Sequence, residues 1–341
     1  MKKYDIIGDI HGYAEELKAL LIELGYTCNA NGVYVPPEQD RQDRQAVFTG
    51  DYIDRGKENF EVIDIVRNMV QAGHAKAIMG NHDLNASLYH TPHPVTSKPL
   101  RKHNDKNTHQ HQTFLDELDL KPEKGIKNIE WLKSLPVCLE IGGLRFVHAL
   151  WDTPSLNCLR KSGILRNDNT VDPDRWHDLE WQPRAPEQTQ EFKAIELLTK
   201  GFEIKLPLGI TFKDADGNIR KKARLKWWVN LEKPDLMLHE VVLDVPPNVI
   251  PNIPASDEIK EQIRKLQEME GDMVFFGHYW QKGEFPTVEN KKFLCIDQSV
   301  AKDGHLAAAT VTIDNGVIQD MSFTSVKSRP PHGRAAQASV A

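Results

Sequence analysis

Asp9 and His11 stand two residues apart in "GDIHG" (8–12), directly after a short apolar run. Four later stretches set the same residue types just past such a run: "GDYIDRG" (50–56), "GNHD" (80–83), "FVHA" (146–149) and "FGHYW" (276–280). Taken singly, each reads as polar loop residues closing a strand. Together they supply Asp9, His11, Asp51, Asn81, His148 and His278, oxygen and imidazole donors without a thiolate. Such a set suits Mn²⁺, Fe or Zn²⁺ in a catalytic site better than a structural zinc. Asn81 offers a neutral amide oxygen, which completes a shell without adding negative charge where an anionic substrate must bind.

The elements that must position these residues follow from the apolar pattern. Tyr4–Gly8, Ala46–Thr49, Ala75–Met79, Leu144–Val147, Met273–Phe276 and Phe293–Ile296 are short and scarcely alternate, as strands covered on both faces do. Leu17, Leu20, Leu21 and Leu24 predict one apolar face of a helix over Ala14–Leu24, and Val62, Ile65, Val66 and Met69 another over Glu58–Gln71. A third is expected over Ser256–Glu270, opening on Ser-Asp-Glu. Strands alternating with helices predict an α/β layered fold, with ligands at the carboxyl ends of the strands.

Two stretches break the rhythm. Residues 92–125 are rich in His, Lys, Asn and Pro and read as mostly surface, with a helix near Thr113–Leu118. The irregular spacing of His90, His93, His103, His109 and His111 reads as a solvated segment rather than a metal site. Residues 152–255 form a long insertion, with a hairpin expected over Gly209–Trp228 turning at 214–217. The organisation expected is one catalytic domain over 1–327 and a disordered tail over 328–341. With 40% hydrophobic and 27% charged residues and a net charge of −6, the 341-residue chain reads as globular and unsuited to a chain-wide nucleic-acid surface. No apolar run approaches the ~20 residues that span a bilayer, so no membrane partner is expected. An N-terminus entering a strand at once and four scattered cysteines predict reduced thiols and a cytoplasmic protein.

In this order, the five blocks resemble the calcineurin-like metallophosphoesterases, most closely the phosphoprotein phosphatase branch through Asp54-Arg55-Gly56, and within it cold-adapted bacterial members acting on phosphotyrosine. The resemblance implies a β-sandwich core flanked by helices and two divalent metal ions. Asp9 and His11 would hold the first, Asp51 would bridge both, and Asn81, His148 and His278 would complete the second. Where the wider superfamily has a further histidine, this chain has Trp280, and Ala149-Leu150-Trp151 follows His148 where glycine is common. The implied chemistry is direct attack on phosphorus by a hydroxide shared between cations about 3.5–4 Å apart. Arg55 would bind the phosphoryl oxygens, and His82, oriented by Asp54, would protonate the leaving group. Among the basic residues of the inserted hairpin, Arg224 is the candidate second phosphate-binding arginine. Tyr13, Tyr52, Trp151, Tyr279 and Trp280 are candidates to wall the cleft.

The function expected is therefore a metal-dependent phosphomonoesterase acting on a phosphorylated protein or a small aryl phosphate. A dinucleoside polyphosphate hydrolase needs the same metals and stands as the alternative. A non-catalytic metal-binding scaffold is the reading from another class.

Overall fold

The computed structural model describes residues 1–180, 188–213, 219–246, 248–250, 253–268 and 273–329. Two sheets face each other. The five-stranded sheet runs, edge to edge, Val317–Lys327, His305–Asp314, Lys2–Ile7, Arg44–Phe48 and Ala75–Ala77. Lys2–Ile7 is antiparallel to His305–Asp314 and parallel to Arg44–Phe48, which is parallel to Ala75–Ala77. The four-stranded sheet runs Phe293–Cys295, Val274–Phe276, Leu144–Val147, Cys138–Ile141, with only the last pair antiparallel.

The missing alternation in the sequence now has its cause. Ile6, Val47 and Val311 of one sheet pack with Phe146, Phe275 and Leu294 of the other, forming the interior of a sandwich. Their neighbours Ile7, Phe48, Val147 and Phe276 point to the opposite faces, against Leu17, Leu21, Val62 and Leu156 of the surrounding helices. Burial on both faces requires apolar residues at successive positions. Asp5 interrupts the first strand yet is fully buried, because Arg44 grips both its oxygens at 2.6 and 2.9 Å while Tyr26 and Thr310 hydroxyls donate to it. A buried carboxylate is tolerated when it is paired and hydrogen-bonded in this way.

The predicted helices fall at Ala14–Glu23, Asn59–Gln71 and Asp257–Gln267, the last capped by Ser256 Oγ accepting from the Ile259 N–H. Residues 92–125 are mostly exposed or half-buried, as expected, and the helix expected near Thr113–Leu118 falls at Gln112–Leu120, though Leu100, His111, Phe114 and Gly125 are buried. The stretch contributes helices Asp105–Gln110 and Gln112–Leu120 and begins Pro122–Lys133, and Phe114 is fully buried against Phe60. Glu117 caps the helix Asn59–Gln71, accepting from the backbone N–H groups of Asn59 and Phe60 at 2.6 and 3.1 Å.

The hairpin expected within the insertion is present but shorter than Gly209–Trp228. Phe212–Lys213 pairs with Ile219–Arg220, whereas Lys222–Leu225 lies between Glu203–Lys205 and Val242–Leu243 in a separate three-stranded sheet. The expected turn at 214–217 lies outside the described residues. Ile204, Leu225, Val242 and Ile263 form a local apolar cluster beneath this sheet. Of the expected tail, Ser328 is buried and Arg329 N–H donates to Glu16; 330–341 lie outside the described residues.

Candidate active site

All six ligand candidates follow the carboxyl ends of parallel strands. Asp9 and His11 follow Lys2–Ile7, Asp51 follows Arg44–Phe48 and Asn81 follows Ala75–Ala77 in one sheet; His148 follows Leu144–Val147 and His278 follows Val274–Phe276 in the other. The chain has to turn sharply after each strand for the side chains to converge. His11, Asp51, Asp54, Arg55 and His278 all adopt left-handed backbone, with φ between 51° and 76°. This region costs a non-glycine residue about 1–3 kcal/mol and persists where surrounding contacts over-determine it. Two glycines allow the close approach: a Cβ on Gly277 would lie 1.9 Å from Asp9 Oδ1, and one on Gly80 would lie 2.2 Å from Asp51 Oδ1.

Asp51 stands at the centre. Its Oδ2 lies 3.6 Å from His11 Nε2 and its Oδ1 3.4 Å from His148 Nε2, while the His82 backbone N–H donates to Oδ1 at 2.8 Å. Asn81 Oδ1 lies 2.7 Å from His278 Nδ1 and 3.1 Å from His148 Nε2. Asp9 accepts the His278 backbone N–H at 3.0 and 3.2 Å, joining two ends of the chain 269 residues apart. The histidines are oriented from behind: His11 Nδ1–H donates to the Ile53 carbonyl and His148 Nδ1–H to that of Thr49, which turns each Nε2 inward. Asp83, the last residue of "GNHD", accepts from the backbone N–H groups of Asp51, Tyr52 and Gly80 and so fixes the loops.

Two groups of donors able to hold a metal ion share Asp51: His11, Asp51 and His82 in one, Asp51, His148 and His278 in the other, with the donor atoms of each within 4.8 Å of one another. Asp9 falls in neither group but lines the same pocket, and His82 lies close enough to the first to serve beside it rather than in it. The electrostatics ask for cations there. Burial alone would strip the proton from His148, yet Asp51 and Asp9 hold it so strongly that its pKa rises to about 10. Burial raises the pKa of Asp9 well above the carboxylate range, with Asp297 adding to the effect. His278 Nε2 is buried without a hydrogen-bond partner among the described residues. Excess acidic field, an orphaned imidazole nitrogen and an all-nitrogen-and-oxygen donor set fit a pair of divalent ions. The arrangement is consistent with a dinuclear metal centre.

Beside it, His82 Nδ1–H donates to Asp54 Oδ2 at 2.6 Å, as expected from the sequence. The other oxygen of Asp54 accepts from His111 Nδ1–H at 2.8 Å, and His111 Nε2 lies 3.0 Å from His90 Nε2. Burial works to raise the Asp54 pKa, but the bonds from His111 and His82 overcome it and bring it down to about 2. His111 corrects the solvated reading of its segment: it is buried and supports the dyad. No motif marks it, and its partner is 57 positions away. Arg55 is exposed at the mouth. Arg224 reaches the same wall, its guanidinium 3.4 Å from the His278 carbonyl, 3.5 Å from Asp244 and stacked over Trp280. Of the candidate aromatics, Tyr52, Trp151 and Tyr279 are core residues, leaving Trp280 on the cleft and Tyr13 half-buried. The fold and the site together invite comparison with known proteins.

The model of the calcineurin-like phosphoesterase family matches residues 2–279. The chain belongs to that family. Among curated relatives it is similar to the bis(5′-nucleosyl)-tetraphosphatase PrpE [asymmetrical] of Oceanobacillus iheyensis, 48% identical over 80 residues, covering 24% of this chain and 30% of that protein. The protein of the same name from Bacillus subtilis is 42% identical over 92 residues, covering 27% and 36%. The chain thus spans about a third of the length of these relatives. A cold-active protein-tyrosine phosphatase of a psychrophile Shewanella sp. matches at 16% identity and a TM-score of 0.46, over 94% of this chain and 80% of that one. Among the described residues no helix is long and apolar enough to cross a membrane.

Proposed function

We propose that this phosphoesterase hydrolyses phosphoric anhydrides, with dinucleoside polyphosphates as its substrate class. The observation that carries the reading is the cleft beside the metal centre. About 770 Å³ in volume, it opens from Asn81, His82 and His278 and runs outward between Arg55, Arg101, Lys222 and Arg224. That volume lies within the ~300–1,000 Å³ of small-molecule sites. The cleft carries more fixed cation than one phosphoryl group requires, as a polyphosphate chain would use. The relatives named as bis(5′-nucleosyl)-tetraphosphatases point the same way over the stretch they share. The phosphomonoesterase expected from the sequence, acting on a phosphoprotein or an aryl phosphate, has less support. Its flat partner surface would meet a cleft walled on both sides, by helices after residue 100 and by the insertion.

In this reading Asp9, His11, Asp51, Asn81, His148 and His278 hold the two ions. When bound, such ions make a water acidic enough to react near neutral pH and neutralise charge on the phosphoryl oxygens. Arg55 and Arg224 bind the phosphoryl group from the open side. His82, its Nδ1 engaged by Asp54, presents Nε2 as the proton donor to the departing oxygen. A nucleotide phosphate leaves as a weaker base than an alkoxide, with a second pKa of about 6. His82→Asn is therefore expected to slow an alkyl phosphate more than diadenosine tetraphosphate.

The test is turnover of diadenosine tetraphosphate beside a phosphotyrosyl peptide by the metal-loaded protein. A kcat/KM at least about tenfold higher for the dinucleotide is expected, a difference of roughly 1.4 kcal/mol in transition-state binding. A preference for the peptide would restore the phosphoprotein reading.

A further inference from the structure

Arg101 lines the cleft beside the catalytic dyad, and its partners are unusual. Its Nη1 donates to Asn85 Oδ1 at 2.8 Å, and its Nη2 donates to Asn107 Oδ1 at 2.9 Å and Gln110 Oε1 at 3.4 Å. All three are neutral amide oxygens. Among the described residues, no carboxylate comes within 4.0 Å of the guanidinium. The acids whose charge reaches it, Glu196 and Asp54, are engaged elsewhere, Glu196 by Lys200 and Asp54 by His82 and His111. Burial lowers the Arg101 pKa, the mark of a cation held out of water without a counterion.

The amides around it are themselves fixed. Asn107 Nδ2 donates to the Lys102 carbonyl at 2.8 Å, which leaves its oxygen for the arginine, and Asn85 sits on the helix Asn81–His90, one turn beyond His82. A guanidinium has five N–H donors, so those not taken by the amides remain for a ligand. A planar cation clamped by neutral groups keeps its full charge for an incoming anion, whereas a carboxylate partner would have to be displaced. Arg101 and His82 also share the walls of a small cavity of about 10 Å³, together with Asp54 and Asn85. The group that His82 protonates is the leaving group, so an anion bound by Arg101 belongs to the leaving side of the scissile bond.

We infer that Arg101, clamped by Asn85, Asn107 and Gln110, is the subsite for the phosphate next to the scissile one, on the leaving group. The ligand chemistry is a phosphate chain, whether it comes from a nucleotide or from inorganic polyphosphate. The inference rests on the anhydride reading proposed above and narrows it: a leaving group that carries a phosphate is recognised by a residue that a monoester does not engage.

The experiment compares Arg101→Gln and Arg101→Lys with the parent protein, full-length and metal-loaded, on probes with and without a second phosphate. In Arg101→Gln, kcat/KM for diadenosine tetraphosphate and for tripolyphosphate is expected to fall about 30-fold, and far less for p-nitrophenyl phosphate, as expected for a lost charge-assisted bidentate contact. Binding by calorimetry gives a readout without turnover: the Kd of pyrophosphate rises about tenfold while that of orthophosphate stays within about twofold. Arg101→Lys, which keeps the charge, retains part of the pyrophosphate preference. Equal losses on p-nitrophenyl phosphate and diadenosine tetraphosphate would overturn the inference, because Arg101 would then support the dyad or the fold. So would a loss confined to the dinucleotide with pyrophosphate binding unchanged, which would make Arg101 a reader of the nucleoside. Should the parent protein fail to cleave diadenosine tetraphosphate, the proposed substrate falls, and the pyrophosphate and orthophosphate affinities still decide the subsite.

Discussion

At the level of single residues, Asp51 has the most demanding place, since both of its oxygens face ligand sets and its own φ is 54°. Asp51→Asn removes the one carboxylate shared by the two sets. Metal content measured by plasma mass spectrometry is expected to drop by at least one ion per chain, and turnover by at least about 10²-fold, in the range of losing a main electrostatic stabiliser. His111 gives a second test. His111→Ala frees one oxygen of Asp54, so kcat on an alkyl phosphate should fall about tenfold with KM little changed, a part of what a positioned general acid contributes. The sign of the pH effect at Asp54 is fixed by its depressed pKa of about 2. Unfolded Asp titrates near 3.9. The carboxylate therefore adds stability above about pH 4, and this is lost as pH falls through about 2. Asp54→Asn should flatten the decline of the thermal midpoint across that window. The six ligand candidates and the dyad could be read from the chain because each follows a short apolar run, with glycine marking every strand end but that of His148. His111 and Arg101 could not, because they lie on a segment whose composition resembles a solvated loop and the contacts that tie them to the site, to Asp54 and to Asn85, span 57 and 16 positions.

Elements decide how firmly those residues are held. The strands were legible because burial on both sheet faces leaves runs with no polar alternation, and the helices because one face carries the leucines and valines. Of the inserted material the hairpin strands Phe212–Lys213 and Ile219–Arg220 were legible; the three-stranded sheet was not, because short strands pairing across gaps of 17 and more residues leave no local period. The structural role of the insertion shows in Trp227 and Trp228. Trp227 Nε1–H donates to the Ala149 carbonyl beside His148, and Trp228 packs 4.7 Å from Tyr279 beside His278 and 5.0 Å from Phe276. One wedge thus braces both ligand loops of the four-stranded sheet. Trp228→Ala should cost about 3–5 kcal/mol in denaturant unfolding, as large buried aromatics do. It should also weaken the ion bound through His148 and His278 more than the one bound through His11, as read by stepwise metal titration.

Over the whole molecule, a net charge of −6 coexists with a cleft lined by eight Lys and Arg residues against three Glu, so the local balance where an anion enters is opposite to that of the chain. Charge-driven binding of this kind is screened by salt, with a Debye length of about 10 Å at 0.1 M. Raising ionic strength from about 0.05 to 0.5 M should raise KM for diadenosine tetraphosphate severalfold and for p-nitrophenyl phosphate much less, with kcat little affected in both. The architecture brings together loops from two sheets and from both ends of the chain at one rim, and the reason for that convergence is a pair of cations. An anomalous-scattering map of crystals grown with Mn²⁺ tests it most directly. Two peaks about 3.5–4 Å apart, both touching Asp51, are expected, one of them contacting His11 and the other Asn81, His148 and His278. A single peak, or peaks that do not touch Asp51, would contradict the account.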